Sequence, residues 1–340
     1  MYRTANPLFL TCETPTHAGS GSELGVVDLP IQREKHTGFP KMEGSTLKGS
    51  FREAIERRVG RQEVAKFASW NAPDTKIQRI FGYDDGSLDT AQKEALKQCF
   101  TDKKNQLNNE FSGCVGFADA RLLLFPVKSM KGVFAWITCP QVLQQFALDM
   151  ELAGVEGIAI PKGAGLVPET SNLTLPGKDG LNVVLEEYAF GIRADKDTSQ
   201  FCEWLSEHVF QASQGFSQQK VKHDVVVLPN DDFRDFVNLS TEVITRTKIN
   251  SDTGTVEQGQ LFTEEYLPAE SVLYTLALVA PEFSKQTDKM KEAEVLNFLK
   301  ENLPGVMQIG GNATLGKGIV RTRLMNMATA KKAEKGAAKQ

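Results

Sequence analysis

Gly310-Gly311-Asn312-Ala313-Thr314-Leu315-Gly316-Lys317-Gly318 packs four glycines, an asparagine and a lysine into nine residues. Glycine accepts positive φ and leaves backbone N–H groups uncovered, so such a loop can approach a phosphate closely. A plain tight turn is the alternative. Gly311-x-x-x-x-Gly316-Lys317 begins a Walker A pattern, but Gly318 stands where a P-loop needs Ser or Thr for magnesium. A helix-like stretch also precedes the loop and a strand-like one follows, the reverse of a P-loop. NTP hydrolysis is excluded, which leaves a backbone-amide clamp for a phosphodiester chain, with Lys317 beside it.

A second cluster, Gly44-Ser45-Thr46-Leu47-Lys48-Gly49-Ser50-Phe51-Arg52, sits where a helix should begin with Ser45 as its N-cap. A helix N-terminus offers free N–H groups and partial positive charge to an anion. Lys48 and Arg52, four apart, share a face away from the apolar stripe of Leu47, Phe51, Ile55 and Val59. Gly49 inside the helix costs about 1 kcal/mol against alanine. Close passage of another backbone or of a nucleic-acid strand would explain it; a solvated basic face is the alternative for the cluster. The third cluster runs from His17 to Arg33. His17 lies between a strand end and a glycine loop, a setting that His36, His208 and His223 lack. Asp28 falls in a Pro-bounded, glycine-flanked loop, where its carboxylate is free to hold a divalent metal or to orient a 2′-hydroxyl beside a scissile phosphate. An aspartate capping the turn before Leu29-Pro30 is the commoner alternative. Of the paired acids, Asp231-Asp232 and Asp84-Asp85 read as turn and helix-start residues; Glu264-Glu265 is a third pair.

The rest of the chain supplies the elements that hold these clusters. Residues 7–13 read as a buried strand, 45–59 as the helix with the apolar stripe, and 60–113 as a polar, helix-biased insertion. Residues 115–127 and 131–138 form two strands of a hairpin, and Pro140 opens a helix to about Leu152. Glycines and prolines make 154–180 a loop. Phe201, Leu205 and Val209 mark an amphipathic helix over 198–210. Residues 243–267 alternate around the turn signal Asn250-Ser251-Asp252-Thr253-Gly254. A strand over 271–280, a helix over 288–303 and a strand over 319–324 follow. The order β-α-β-β-α-β with large inserts predicts an α+β fold with a ferredoxin-like core of the RNA-recognition type. Residues 328–340 are small, basic and non-periodic, and are predicted to be disordered.

The 340 residues are 41% hydrophobic, enough for a real core. The apolar run at 122–125 is far too short for a membrane span. The N-terminus lacks the pattern of a secretory signal. Five scattered cysteines (Cys12, Cys99, Cys114, Cys139, Cys202) contain no CxxC pair, which points to reduced thiols in a cytoplasm and not to a disulfide frame or a zinc site. A net charge of −4 argues against indiscriminate nucleic-acid binding but permits a local basic groove.

Five separated motifs carry a family resemblance: Thr14-Pro15-Thr16-His17-Ala18-Gly19, Gly25-Val26-Val27-Asp28-Leu29-Pro30-Ile31-Gln32-Arg33-Glu34, the helical Gly44 to Arg52 cluster, Gly259-Gln260-Leu261-Phe262-Thr263-Glu264-Glu265-Tyr266-Leu267-Pro268, and the terminal glycine loop. In this order they resemble the RAMP superfamily, and within it the backbone subunit of the type III-B CRISPR effector, the Cmr complex. The resemblance spans about residues 7–324. It implies a single domain over 1–327. The ferredoxin-like (modified RNA-recognition) palm would take about 7–59, 115–152 and 271–324, fingers insertions 17–44 and 60–113, and a thumb β-hairpin 245–263. Copies of such a subunit stack as a filament along a CRISPR RNA beside other Cmr subunits, with no membrane involved. Guide contacts then fall on Lys48, Arg52, Gly310, Gly311, Asn312 and Lys317, and thumb contacts on Arg246 and Lys248. The target-cleaving, metal-holding aspartate falls on Asp28, with His17 and Glu265 as its catalytic neighbours. Cleavage of single-stranded target RNA at regular intervals would use a divalent metal, Mg2+ or Mn2+, and the target's own 2′-hydroxyl. A guide-binding scaffold without catalysis is the alternative. So few large apolar residues also predict that the hairpin is mobile until RNA or an adjacent copy packs on it.

Overall fold

The computed structural model describes residues 4–22, 25–59, 73–83, 86, 89–100, 112–178, 180–283 and 289–325. Much of the expected 60–113 insertion, the pair Asp84-Asp85 and the tail at 328–340 lie outside the described residues. Strand β1, Thr4–Cys12, is buried at every position from Asn6 onward, as a continuous apolar run requires. The short β2, Lys41–Met42, leads into α1, Gly44–Val59, whose stripe of Leu47, Phe51 and Ile55 is fully buried. Each of those side chains contributes about 1.5–3 kcal/mol. Helices α2 (Pro73–Phe81) and α3 (Thr90–Phe100) follow, then β3 (Val115–Phe117), β4 (Ala120–Lys128) and β5 (Phe134–Thr138). Helix α4, Pro140–Leu152, opens on its proline as expected.

The next stretch is richer than the sequence suggests. The expected loop at 154–180 contains β6 (Leu166–Pro168) and β7 (Leu175–Gly177). A hairpin of β8 (Gly180–Leu185) and β9 (Tyr188–Asp195) precedes α5 (Lys196–His208), which is N-capped by Asp195. Helix α6 (Gly215–Lys220), β10 (Val225–Val227) and α7 (Asn230–Leu239) come next, with Asp231 and Asp232 in the first turn of α7. The chain ends with β11 (Glu242–Ile249), β12 (Val256–Tyr266), β13 (Val272–Val279), α8 (Glu292–Asn302), β14 (Val306–Gln308) and β15 (Ile319–Leu324).

Among the described residues, thirteen strands form one mostly antiparallel sheet. Its centre runs β15-β1-β13-β4, and each neighbouring pair is antiparallel. Helix α1 lies in the connection from β1 to β4, and α8 in that from β13 to β15. Strand β5 pairs with β4, so it extends the sheet beyond this central quartet. Strands β11 and β12 form a separate two-stranded ribbon. Their register slips near the tip, where Lys248 alone faces Glu257 to Gln260, and Gly259 takes φ +75° there. The buried apolar side chains make one continuous cluster from Leu8 to Met325. Cys12, Cys114, Cys139 and Cys202 are buried and free; burial pushes the Cys139 thiol up to about 11, which makes it unreactive. No helix among the described residues is long and apolar enough to cross a membrane.

Candidate functional site

Strand β12 organises the site because its side chains alternate between two faces. Thr263 and Glu265 share one face, while Glu264 and Tyr266 share the other. The segment of Asp28 and Leu29 runs beside β12: the Leu29 amide donates to the Thr263 carbonyl (3.0 Å) and the Glu265 amide to the Leu29 carbonyl (3.0 Å). Asp28 is exposed and held from one side. Its Oδ2 accepts from the Thr263 amide (2.7 Å) and hydroxyl (2.9 Å), and its own amide donates to that hydroxyl (3.0 Å). The Thr263 amide, then the hydroxyl, hold the Asp28 carboxyl below the usual aspartate range. Its other oxygen, Oδ1, accepts no hydrogen bond among the described residues.

Glu265 points elsewhere. Its carboxylate is buried and accepts from Arg33 (2.5 Å), the Thr241 hydroxyl (2.7 Å) and the Ile31 amide (3.0 Å). Those bonds lock the 28–33 segment onto β12, and they occupy the side chain that the family resemblance brings into catalysis. The carboxylate that meets His17 is Glu264. The Nδ1 of His17 lies 2.7 Å from the Glu265 carbonyl and must carry the proton there, since a carbonyl only accepts. Nε2 thereby faces Glu264 Oε1 at 3.9 Å. Glu264 also accepts from Asn312 (2.6 Å), from Arg246 (3.3 Å) and from the Tyr266 hydroxyl. Burial pushes the Glu264 carboxyl up, but the bonds from Tyr266 and Asn312, with His17 and Arg246 alongside, outweigh it and leave it below the usual range. Tyr266 in turn accepts from Arg246 (2.8 Å) and Asn312 (2.9 Å), and the Lys317 ammonium sits 4.9 Å above its ring.

The glycine loop reaches this cluster by close backbone packing. Gly310 has φ +84°, and a Cβ there would lie 2.2 Å from the His17 carbonyl oxygen. Asn312 is left-handed (φ 61°), which aims its amide at Glu264. The expected row of uncovered amides is not what the loop presents. The amides of Gly311, Leu315, Gly316, Lys317 and Gly318 all donate within the chain, to His17, Asn312, Ala313, Asn312 and Pro15. The glycines serve contact with the His17 segment first.

Helix α1 departs from expectation in a related way. It starts at Gly44, so Ser45 lies in its first turn and is not the N-cap. The Gly44 amide donates to Asp119 (2.9 Å), which Lys41 holds at 2.8 Å. The chain's own carboxylate thus occupies the place where a phosphate was expected. Arg52 pairs with Glu56 (2.9 Å) and donates to the Gly82 carbonyl (2.9 Å), while Lys48 is half-buried. Burial, then Arg52, push the Lys48 ammonium below its usual range. A Cβ on Gly49 would meet nothing in the chain. Gly49, Ser50 and Arg57 nevertheless line one open groove of about 440 Å³ with Val306, Gln308 and Gly310. The two glycine-bearing clusters of the sequence therefore border the same cleft. Lys248, near the hairpin tip, is exposed and pairs with Glu257 at 2.8 Å.

The model of the family described as the RAMP superfamily matches residues 9–321. The chain belongs to the RAMP superfamily. This RAMP protein is 39% identical over 313 residues to a Pyrococcus furiosus protein named CRISPR system Cmr endoribonuclease Cmr4, covering 92% of each chain. It is similar in structure to oligomeric Cmr4 from Pyrococcus furiosus, with a TM-score of 0.64, 30% identity and 95% and 98% of the two chains covered. Its fold is also like that of a chain in a Type III-B Cmr-beta complex bound to cognate target RNA (TM-score 0.63, 20% identity, 95% and 98% covered).

Within this RAMP protein the structure gathers His17, Arg246, Asn312 and Lys317 around Glu264 and Tyr266, and ties Asp28 to Thr263, whose side chain is on the opposite face of β12. Arg52 and Lys248 stand apart, each in an ion pair of its own. Sequence reasoning missed Thr263, Glu264 and Tyr266 as site residues. The signal was present in the Thr263-Glu264-Glu265-Tyr266 run, since strand alternation separates the two acids onto opposite faces.

Proposed function

We propose that this chain is a CRISPR RNA-binding backbone subunit of a type III-B effector complex, and that it cuts complementary single-stranded target RNA within that assembly. The observation that carries the reading is Asp28. It is an exposed carboxylate pinned by one oxygen to the foot of a projecting hairpin, with the other oxygen open. The name borne by the Pyrococcus relative, an endoribonuclease of the Cmr system, supports the same activity. The β15-β1-β13-β4 order with α1 and α8 as crossovers fits a ferredoxin-like palm, and β11–β12 fits the thumb.

Asp28 would orient the 2′-hydroxyl of a splayed target nucleotide and accept its hydrogen bond, so no protein nucleophile is needed. Lys317 and Arg246 would place positive charge beside the RNA, and His17, braced by the Glu265 carbonyl, would present Nε2 toward the same side. The groove between α1 and the glycine loop would carry the guide backbone, with Arg57 in its wall; Lys48 is on the other face of α1. No group of three or more metal-ligating side chains stands together among the described residues. The free Oδ1 of Asp28 nonetheless suits Mg2+ or Mn2+, which commonly take one or two carboxylates and complete their shell with water and substrate phosphate. Such an ion would neutralise charge developing on the scissile phosphate.

The test is the assembled complex carrying Asp28→Ala. Guide content and target affinity are expected to match the wild type, and target cutting to be lost. Cutting at the wild-type rate would leave the scaffold reading in its place.

A further inference from the structure

We propose that Thr263 is a positioning residue for Asp28, and that through it the cleaving carboxylate is carried by the hairpin strand β12. The inference rests on Asp28 being that carboxylate. An exposed aspartate normally samples several staggered rotamers, of which only some aim an oxygen at a given substrate atom. Here one hydroxyl closes a small ring: it accepts from the Asp28 amide (3.0 Å) and donates to the Asp28 carboxylate (2.9 Å). The Thr263 amide adds a second bond to the same oxygen (2.7 Å). Backbone and side chain of Asp28 are thereby fixed together. Oδ2 is spoken for, and Oδ1 is left with a defined direction.

The brace does not depend on the core. Asp28 is exposed, and the flanking Leu29–Thr263 and Glu265–Leu29 backbone bonds hold the segment on β12 without the hydroxyl. Thr263 pairs across the ribbon with Thr245, so both hairpin strands move with it. Whatever sets the hairpin against the target also sets the carboxylate, which couples the splaying of a nucleotide to the place where it is cut.

Thr263→Val keeps the β-branched shape and the amide but removes the hydroxyl. In the guide-loaded complex, target affinity is expected to stay unchanged while the single-turnover cutting rate falls on the order of 10- to 100-fold. Thr263→Ser should restore most of the rate. Cutting by T263V at the wild-type rate would overturn the proposal, as would a T263S variant as slow as T263V. Asp28→Asn is measured alongside. If D28N cuts normally, the role of Asp28 has failed; if D28N is inactive and T263V is normal, only the role of Thr263 has failed. Should T263V not assemble, Thr263→Cys, with its weak thiol donor, is measured by the same criteria.

Discussion

Glu265→Ala separates an architectural carboxylate from a catalytic one. The side chain is 6% exposed and satisfies three donors. Removing it strands the amide of the buried Ile31; a buried donor left unpaired costs about 1–3 kcal/mol. Arg33 loses its ion pair but keeps the Gly38 and Val237 carbonyls and Asn238, and its side chain is 21% exposed. The full 3–5 kcal/mol typical of a broken buried pair therefore overstates that loss. Thr241 is partly exposed and can turn to solvent. Together these give a destabilisation of about 2–4 kcal/mol. At roughly 2 °C per kcal/mol for a chain of this size, the melting temperature should fall by about 4–8 °C. The measurement is thermal unfolding of the purified subunit, paired with single-turnover cutting by the assembled complex well below the transition. Cutting should persist there at a reduced rate, because the 28–33 segment loosens. A variant as stable as the wild type yet unable to cut would refute this reasoning and return Glu265 to the chemistry.

Replacing Lys48 and Lys317 together with alanine should weaken RNA binding regardless of sequence. If each meets one phosphate of a single strand, the salt slope should shrink by roughly 1.4; an unchanged slope in a salt titration would mean that neither lysine meets a phosphate. Deleting residues 251–256 removes the hairpin tip, so the circular dichroism of the fold should be preserved while cleavage loses its even spacing or its efficiency. Full-rate, evenly spaced products would move the thumb to the 154–180 segment.

The central elements were legible because each is a buried run or stripe long enough to declare its period. The apolar run ending at Cys12, Leu47-Phe51-Ile55 in α1, Pro140 at the start of α4 and the run through Val272 to Val279 all folded as read. The β8–β9 hairpin was not, since its mix of exposed and buried positions blurs any period. Nor can local pattern show that β1 pairs with β13, some 270 residues later. The site divides in the same way. Asp28 and His17 were singled out by their loop settings. The work of Thr263 and Glu264 depends on which loop packs on which face of β12. The amides of the glycine loop looked free because nothing in the sequence says that Gly311 and Gly318 will donate to His17 and Pro15, and the others to Asn312 and Ala313 of the loop itself.

A ribbon that stands off its parent sheet exposes unpaired strand edges, and proteins that stack on copies of themselves run the risk of zipping such edges into fibres. Here the inner edge of β12 is already covered by Leu29 and its neighbours. Toward the tip, the slip that sets Lys248 against Glu257 to Gln260 breaks the even spacing of donors and acceptors that an added strand would need. Gly259, turned to positive φ, bends the outer half away from any flat partner. The irregularity thus keeps the ribbon from pairing backbone to backbone with a flat strand of another chain.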